Sequence, residues 1–124
     1  MAAILVVDDN YDLARPLTML LRQMGHEGHA VASGEAALAF VRDRLPDLII
    51  LDAMMPQMDG MEVLRRLKDD PNTARVPVVM FSAIADREFQ AHAISKGAQD
   101  FWVKASIGFD QIKDRVNGLL NKAN

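Results

Sequence analysis

Four short runs of apolar, mostly β-branched residues punctuate this chain, and each stops abruptly at a polar side chain. Ile4-Leu5-Val6-Val7 ends on Asp8 and Asp9, and Leu48-Ile49-Ile50-Leu51 ends on Asp52. Val78-Val79-Met80-Phe81 ends on Ser82, and Phe101-Trp102-Val103 ends on Lys104. A weaker fifth run covers residues 27–31. Runs of this length without internal polar residues are too short for buried helices and read as strands covered on both faces. The segments between them carry apolar residues at helical spacing. Leu13, Leu17, Leu20, Leu21 and Met24 form one such stripe, with Gly25 as a stop and Pro16 as a local bend near its start. Ser33 caps a second helix carrying Ala37, Phe40 and Val41. Met61, Leu64 and Leu67 follow a loop marked by Pro56 and Gly60. Phe89, Ala93 and Ile94 lie on the inner side of a helix near residues 86–96, and Ile112, Val116, Leu119 and Leu120 line the last one. A strand–helix unit repeated five times predicts an α/β fold, a doubly wound parallel sheet with helices on both faces.

At 124 residues the chain is predicted to form a single domain spanning 1–124. It has 14 Lys and Arg against 17 Asp and Glu, a formal charge of −3. A mildly acidic surface is a poor general binder of nucleic acid or anionic lipid, so no direct nucleic-acid or membrane partner is expected. The absence of cysteine removes disulfide and thiolate chemistry. The apolar run at Met1–Val7 is far short of a membrane span and lacks the flanks of a signal peptide, which makes the cytoplasm the expected location.

A parallel sheet delivers the carboxyl ends of its strands to one edge, where ligands bind in such folds. That edge would gather Asp8, Asp9, Asp52, Ser82 and Lys104. Carboxylates about 4 Å apart repel by roughly 4 kcal/mol at an effective dielectric near 20, so three of them want a proton or a cation. Lys104 supplies one positive charge. The remaining donors are all oxygens, which suits Mg²⁺, an ion that takes one or two carboxylates and keeps several waters. A carboxylate beside a metal, a hydroxyl and an ammonium is a phosphoryl-transfer constellation: the carboxylate can attack phosphorus while the cations neutralise the transferring oxygens.

These residues resemble the receiver domain of two-component response regulators, including its chemotaxis members. The resemblance covers the whole chain. It rests on Asp8-Asp9, on Asp52 with Met55-Pro56-Gln57-Met58-Asp59-Gly60, on Ser82-Ala83 and on Lys104, in the family's order and spacing. The resemblance implies a flavodoxin-like (βα)5 fold with strand order 2-1-3-4-5. It implies a phosphorylation-dependent switch in which Asp52 is the phosphoacceptor and also a Mg²⁺ ligand, Asp9 a direct Mg²⁺ ligand, Asp8 a ligand through water, and the Met54 backbone carbonyl a further ligand. Lys104 would pair with Asp52 and then with the phosphoryl group, Ser82 would move to bond that group, and Phe101 matches the aromatic switch position. The donor would be a sensor histidine kinase or a histidine phosphotransfer protein, and the output an altered contact with a downstream protein target. The chain would act on itself only, gaining and losing a phosphoryl group, rather than serve as an enzyme. Partner contacts in this family often use helix 4, strand 5 and helix 5, which singles out Arg87, Lys96 and Lys113.

Other features narrow or qualify this reading. Ala105 follows Lys104 where the family usually has proline, which leaves that peptide bond open between trans and cis. Met54 and Ile84, each two residues past a site residue, are apolar and cannot position a hydrolytic water. An aspartyl-phosphate hydrolase would want a second acid at position 54 and a cap domain. A flavodoxin-like binding module would want a Ser-, Thr- or Gly-rich loop where Asp8 and Asp9 stand. A degenerate receiver, acting as a phosphorylation-independent interaction module, is the remaining alternative. No output domain is expected in these residues. Trp102 should pack under a helix or sit partly exposed, and His26 and His29 are expected at the surface.

Overall fold

The computed structural model describes residues 1–122; Ala123 and Asn124, the end of the expected domain, lie outside the described residues. The order of elements is β1 (Ala3–Val7), α1 (Tyr11–Gln23), β2 (Glu27–Val31), α2 (Gly34–Asp43), β3 (Leu48–Asp52), α3 (Gly60–Asp69), β4 (Val78–Ser82), α4 (Arg87–Ser95), β5 (Asp100–Val103) and α5 (Phe109–Lys122). The strands form one parallel sheet in the order β2-β1-β3-β4-β5. This is the flavodoxin-like arrangement that the family resemblance implies. The chain steps from β1 outward to β2 and then back across to β3, so the β1–β3 boundary is where the strand order reverses.

Side-chain alternation along the strands divides the interior in two. Leu5, Val7, Ile49, Leu51, Val78, Met80 and Phe101 face the layer of α2, α3 and α4, where they meet Ala37, Val41, Val63, Leu64, Leu67 and Ala93. Ile4, Val6, Leu48, Ile50, Val79, Phe81 and Trp102 face α1 and α5, against Leu17, Leu20, Leu21, Ile112 and Val116. Trp102 is fully buried on this second face. Its indole N–H, which could not go unpaired there, donates to Asp100 Oδ2 at 2.8 Å.

Local chemistry sets the helix ends. Asn10, Ser33, Asp59 and Asp86 each accept a backbone N–H of the first turn that follows them. At the other end of α1, Gly25 takes φ +92°, and the His26 N–H reaches back to the Leu21 carbonyl at 3.1 Å. This left-handed stop is what the glycine permits. The α1 helix runs unbroken through the exposed Pro16.

Several expectations for individual faces need correction. Ile94 is 46% exposed, and only Ala93 of α4 is buried. The buried stripe of α3 uses Val63 with Leu64 and Leu67, while Met61 is half-buried. Leu13 is 40% exposed. His26 and His29 are half-buried rather than at the surface: His26 Nδ1 accepts from the Ala2 N–H, and the His29 ring packs 5.3 Å from Phe40. Among the described residues no helix is long and apolar enough to cross a membrane.

Gly60 opens α3 directly over the end of β3. A Cβ added there would lie 2.3 Å from the Asp52 carbonyl oxygen and 2.7 Å from the Ala53 Cα, both backbone atoms that cannot swing aside. Gly118, in the exposed part of α5, has nothing within 4 Å of such a Cβ. Gly60→Ala should therefore lower the free energy of urea unfolding by about 2 kcal/mol or more. Gly118→Ala should raise it by roughly 0.5–1 kcal/mol, as for a helix-interior glycine with free space. Equal effects of the two substitutions would contradict this packing.

Candidate functional site

The carboxyl edge of the sheet gathers the strand-terminal polar residues. Asp8 and Asp9 follow β1, Asp52 and Ser82 are the last residues of β3 and β4, and Lys104 follows β5. Backbone hydrogen bonds tie these ends to one another. The Asp8 N–H donates to the Val31 carbonyl, the Ala53 N–H to the Phe81 carbonyl and the Lys104 N–H to the Ser82 carbonyl. The functional side chains therefore start from fixed backbone positions rather than from free loops.

Asp8, Asp9 and Asp52 each offer a carboxylate oxygen, and the three oxygens lie within 4.8 Å of one another. Asp8 and Asp52 are 3% exposed, whereas Asp9 is open to solvent. The Lys104 ammonium reaches Asp8 Oδ2 at 3.0 Å and Asp52 Oδ1 at 3.2 Å. The remaining oxygen of Asp8, Oδ1, accepts the Asn10 N–H at 2.9 Å. Asp52 Oδ1 also accepts the Met54 N–H at 3.2 Å. Among the described residues, Asp52 Oδ2 accepts no hydrogen bond from the protein, so one oxygen of this buried carboxylate is uncommitted.

Burial pushes the Asp52 carboxyl up to about 6; the Met54 N–H opposes this, the Asp8 charge adds to it, and Lys104 opposes it again. Three carboxylates against one ammonium leave an excess of negative charge around hard oxygen donors. That donor set fits a divalent hard cation such as Mg²⁺, with Asp9 on its solvent side. Ser82 is fully buried, and its Oγ accepts the Ile84 N–H at 2.9 Å, which leaves its own O–H proton available. Phe101 is buried and meets Phe89 of α4 edge-to-face at 5.7 Å. Met54 and Ile84 stand at the mouth, 58% and 36% exposed. The Lys104–Ala105 bond is trans.

The structure thus brings together Asp8, Asp9, Asp52 and Lys104, and sets Ser82 on the adjoining strand end. Two contacts were not foreseen. Lys104 divides itself between Asp8 and Asp52 instead of pairing with Asp52 alone, and its ammonium lies 5.3 Å from the centre of the Phe81 ring. The alternating pattern of β4 could have placed Phe81 on this face, but not under the lysine.

Comparison with known proteins agrees with this geometry. A family model described as the response regulator receiver domain matches residues 4–117. Response regulator PleD of Caulobacter vibrioides is 44% identical over 103 residues, covering 83% of this chain and 23% of that protein. The phosphate regulon transcriptional regulatory protein PhoB of Rhizobium meliloti is 34% identical over 120 residues, covering 97% of this chain and 52% of that protein. The chain therefore spans about a quarter to a half of these curated relatives. Among solved structures, the receiver domain of the Francisella response regulator 1452 superposes with a TM-score of 0.92 at 26% identity, covering 100% of both chains.

The raised Asp52 carboxyl carries a stability consequence. Its proton is held more tightly in the folded protein, at about 6, than at the ordinary 3.8. As pH rises from about 4 to about 6, the unfolded chain gives up this proton first, so the metal-free protein loses stability across that window. Asp52→Asn removes the ionisation. At pH 7.5 without divalent metal, the variant should be about 3 kcal/mol more stable than the parent in urea, and the gain should vanish near pH 4. A gain independent of pH would show that charge burial at Asp52 is not its source.

Proposed function

The chain belongs to the response regulator receiver domain family, and from that premise we propose that it is a phosphorylation-dependent signalling switch with Asp52 as its phosphoacceptor. The donor in this proposal is a sensor histidine kinase or a histidine phosphotransfer protein. The reaction depends on Mg²⁺, and the protein acts in the cytoplasm. The observation that carries the reading is the buried Asp52 carboxylate, flanked by Asp8, Asp9 and Lys104, with one oxygen uncommitted.

In the proposed reaction an Asp52 oxygen forms a bond to phosphorus as the bond from phosphorus to the donor's imidazole nitrogen breaks, and the imidazole leaves with the electron pair. Asp9 and Asp52 directly, Asp8 through water and the Met54 carbonyl would hold Mg²⁺. When bound, the ion supplies charge neutralisation for the phosphoryl oxygens. Lys104 exchanges its Asp52 contact for a phosphoryl oxygen and stays close to Asp8. Ser82 donates its hydroxyl proton to another phosphoryl oxygen. That motion draws on the β4–α4 turn and on Phe101, which packs against α4, so the face carrying Arg87, Lys96 and Lys113 is the proposed contact for a downstream protein. Receiver domains are typically signalling switches, and the chemistry proposed for this chain is confined to its own phosphorylation and dephosphorylation.

Intact-mass measurement after incubation with acetyl phosphate and Mg²⁺ tests the reading. One phosphoryl adduct is expected on the parent, dependent on Mg²⁺ and absent from Asp52→Asn. Failure to take up either phosphoryl or beryllofluoride would turn the reading toward a phosphorylation-independent interaction module.

The apolar, exposed Met54 and Ile84 side chains offer no hydrogen bond to an attacking water, so the phosphoryl group should be long-lived. Introducing polar groups with Met54→Asn and Ile84→Glu together should speed its loss by at least about tenfold, since a positioned acid–base group commonly contributes more than that. The decay of the adduct by intact mass reads this directly, and an unchanged decay would remove these two positions as determinants of lifetime.

A further inference from the structure

The topology sets Lys104 a problem of reach. It follows β5, while its partners end β3 and follow β1, and β4 lies between. Neighbouring strands are about 4.8 Å apart, so the ammonium must cross roughly 10 Å of sheet edge to reach β3. Phe81 is on the strand that it crosses. Its ring lies on the α1–α5 face with Trp102, its register partner on β5. The Lys104 nitrogen is 5.3 Å from the ring centre, within cation–π range.

The ring is itself held. The Trp102 indole meets it edge-to-face at 6.2 Å and 81°, and Trp102 is fully buried with its N–H fixed by Asp100. An ammonium has three N–H donors, and two are directed at Asp8 and Asp52. The aromatic face supplies a third favourable surface where a lysine stem would otherwise cross uncommitted apolar space. Phe81 is 7% exposed, so water competes weakly for that side of the nitrogen.

We propose that Phe81, braced by Trp102, is a positioning residue that holds the Lys104 ammonium over the carboxylate pair. Phe81 acts through Lys104 and touches no reacting atom. The proposal rests on the receiver reading for its functional consequence, but not for its geometry.

The test therefore has two arms. In the full chain labelled with ¹³C-lysine and without phosphodonor, the Lys104 ε-methylene protons should be shifted upfield of those of other lysines by the ring current. Phe81→Leu should abolish that shift, and Phe81→Tyr should keep it. In the second arm, phosphorylation by saturating acetyl phosphate with Mg²⁺ should slow by roughly 3- to 10-fold in Phe81→Leu, the factor expected for losing one partly desolvated cation–π contact. Phe81→Tyr should restore the rate to within about twofold. In a Lys104→Met background, Phe81→Leu should cause no further loss, because the lysine through which the ring acts is gone. A Lys104 signal unmoved by Phe81→Leu, or an equal slowing in the Lys104→Met background, would overturn the proposal. Urea midpoints from Trp102 emission check that each variant is folded. If the parent chain takes up neither phosphoryl nor beryllofluoride, the phosphorylation-dependent reading fails, and the first arm still decides whether Phe81 sets the position of Lys104.

Discussion

An ammonium shared between two buried carboxylates closes the carboxyl edge of this sheet. Lys104 ties together the ends of β1, β3 and β5, which are far apart in sequence; β1 and β3 are neighbours, and β4 separates β5 from both. Such a contact is a poor source of folding free energy, because the desolvation of three ionised groups offsets much of their attraction. The parallel sheet supplies the stability instead, through two apolar layers that bury every residue of β1, β3 and β4. The charged edge consumes part of that surplus. Its excess of acid over base also means that the edge is electrostatically unfinished, a state that favours a cation and, with a cation, an anion beside Lys104.

The tight packing around Asp52 follows from the same constraint. The chain returns at Gly60 directly against the Asp52 backbone carbonyl, and the β3–α3 loop between them bonds the carboxylate through the Met54 N–H to its Oδ1. In that loop Gln57 takes a positive φ of 68°. Both features hold the loop close over the end of β3. A looser loop would hydrate Asp52 and return its carboxyl toward the ordinary range. Apolar packing, loop geometry and the acidity of one carboxyl are thus one arrangement viewed at three scales.

Much of this was legible in the residues alone, for a physical reason. Strands buried on both faces must be apolar throughout, so β1, β3 and β4 announce themselves and their ends fall within a residue of the first polar side chain. Even the weak β2 could be placed, because Gly25 ends one helix before it and Ser33 caps another after it. Helix faces were harder to read. The stripe at Phe89, Ala93 and Ile94 suggested a well-buried α4, yet only Ala93 is fully buried, since α4 packs toward the edge strand β5, where the sheet offers little surface. In α3, Val63 is buried rather than Met61 because the two flank the Leu64–Leu67 stripe on opposite sides and the helix is turned toward Val63. The site residues were legible because parallel topology brings strand ends to one edge whatever the detailed packing. The sharing of Lys104 with Asp8 and its passage over Phe81 depend on register and side-chain direction, which no spacing in the sequence encodes.

The thin attachment of α4 bears on how a change at the edge could spread. Its packing rests on Ala93 and on the half-buried Phe89, whose ring meets Phe101 of β5 edge-to-face. The α1–α5 side of the same strand is different: Trp102 is fully buried, bonded to Asp100, and Asp100 also pairs with Arg115 of α5. Consecutive residues of β5 therefore face a loosely held layer and a firmly held one. Elements with few buried contacts open at lower free energy than the core they lean on. A phosphoryl group that drew Ser82 and the β4–α4 turn inward would thus find its compliant neighbour in α4 and a rigid backing in Trp102 and Phe81. The asymmetry would give the proposed switch a direction: displacement would go toward Phe101 and α4, while the proposed aromatic support would keep the lysine beside Asp8.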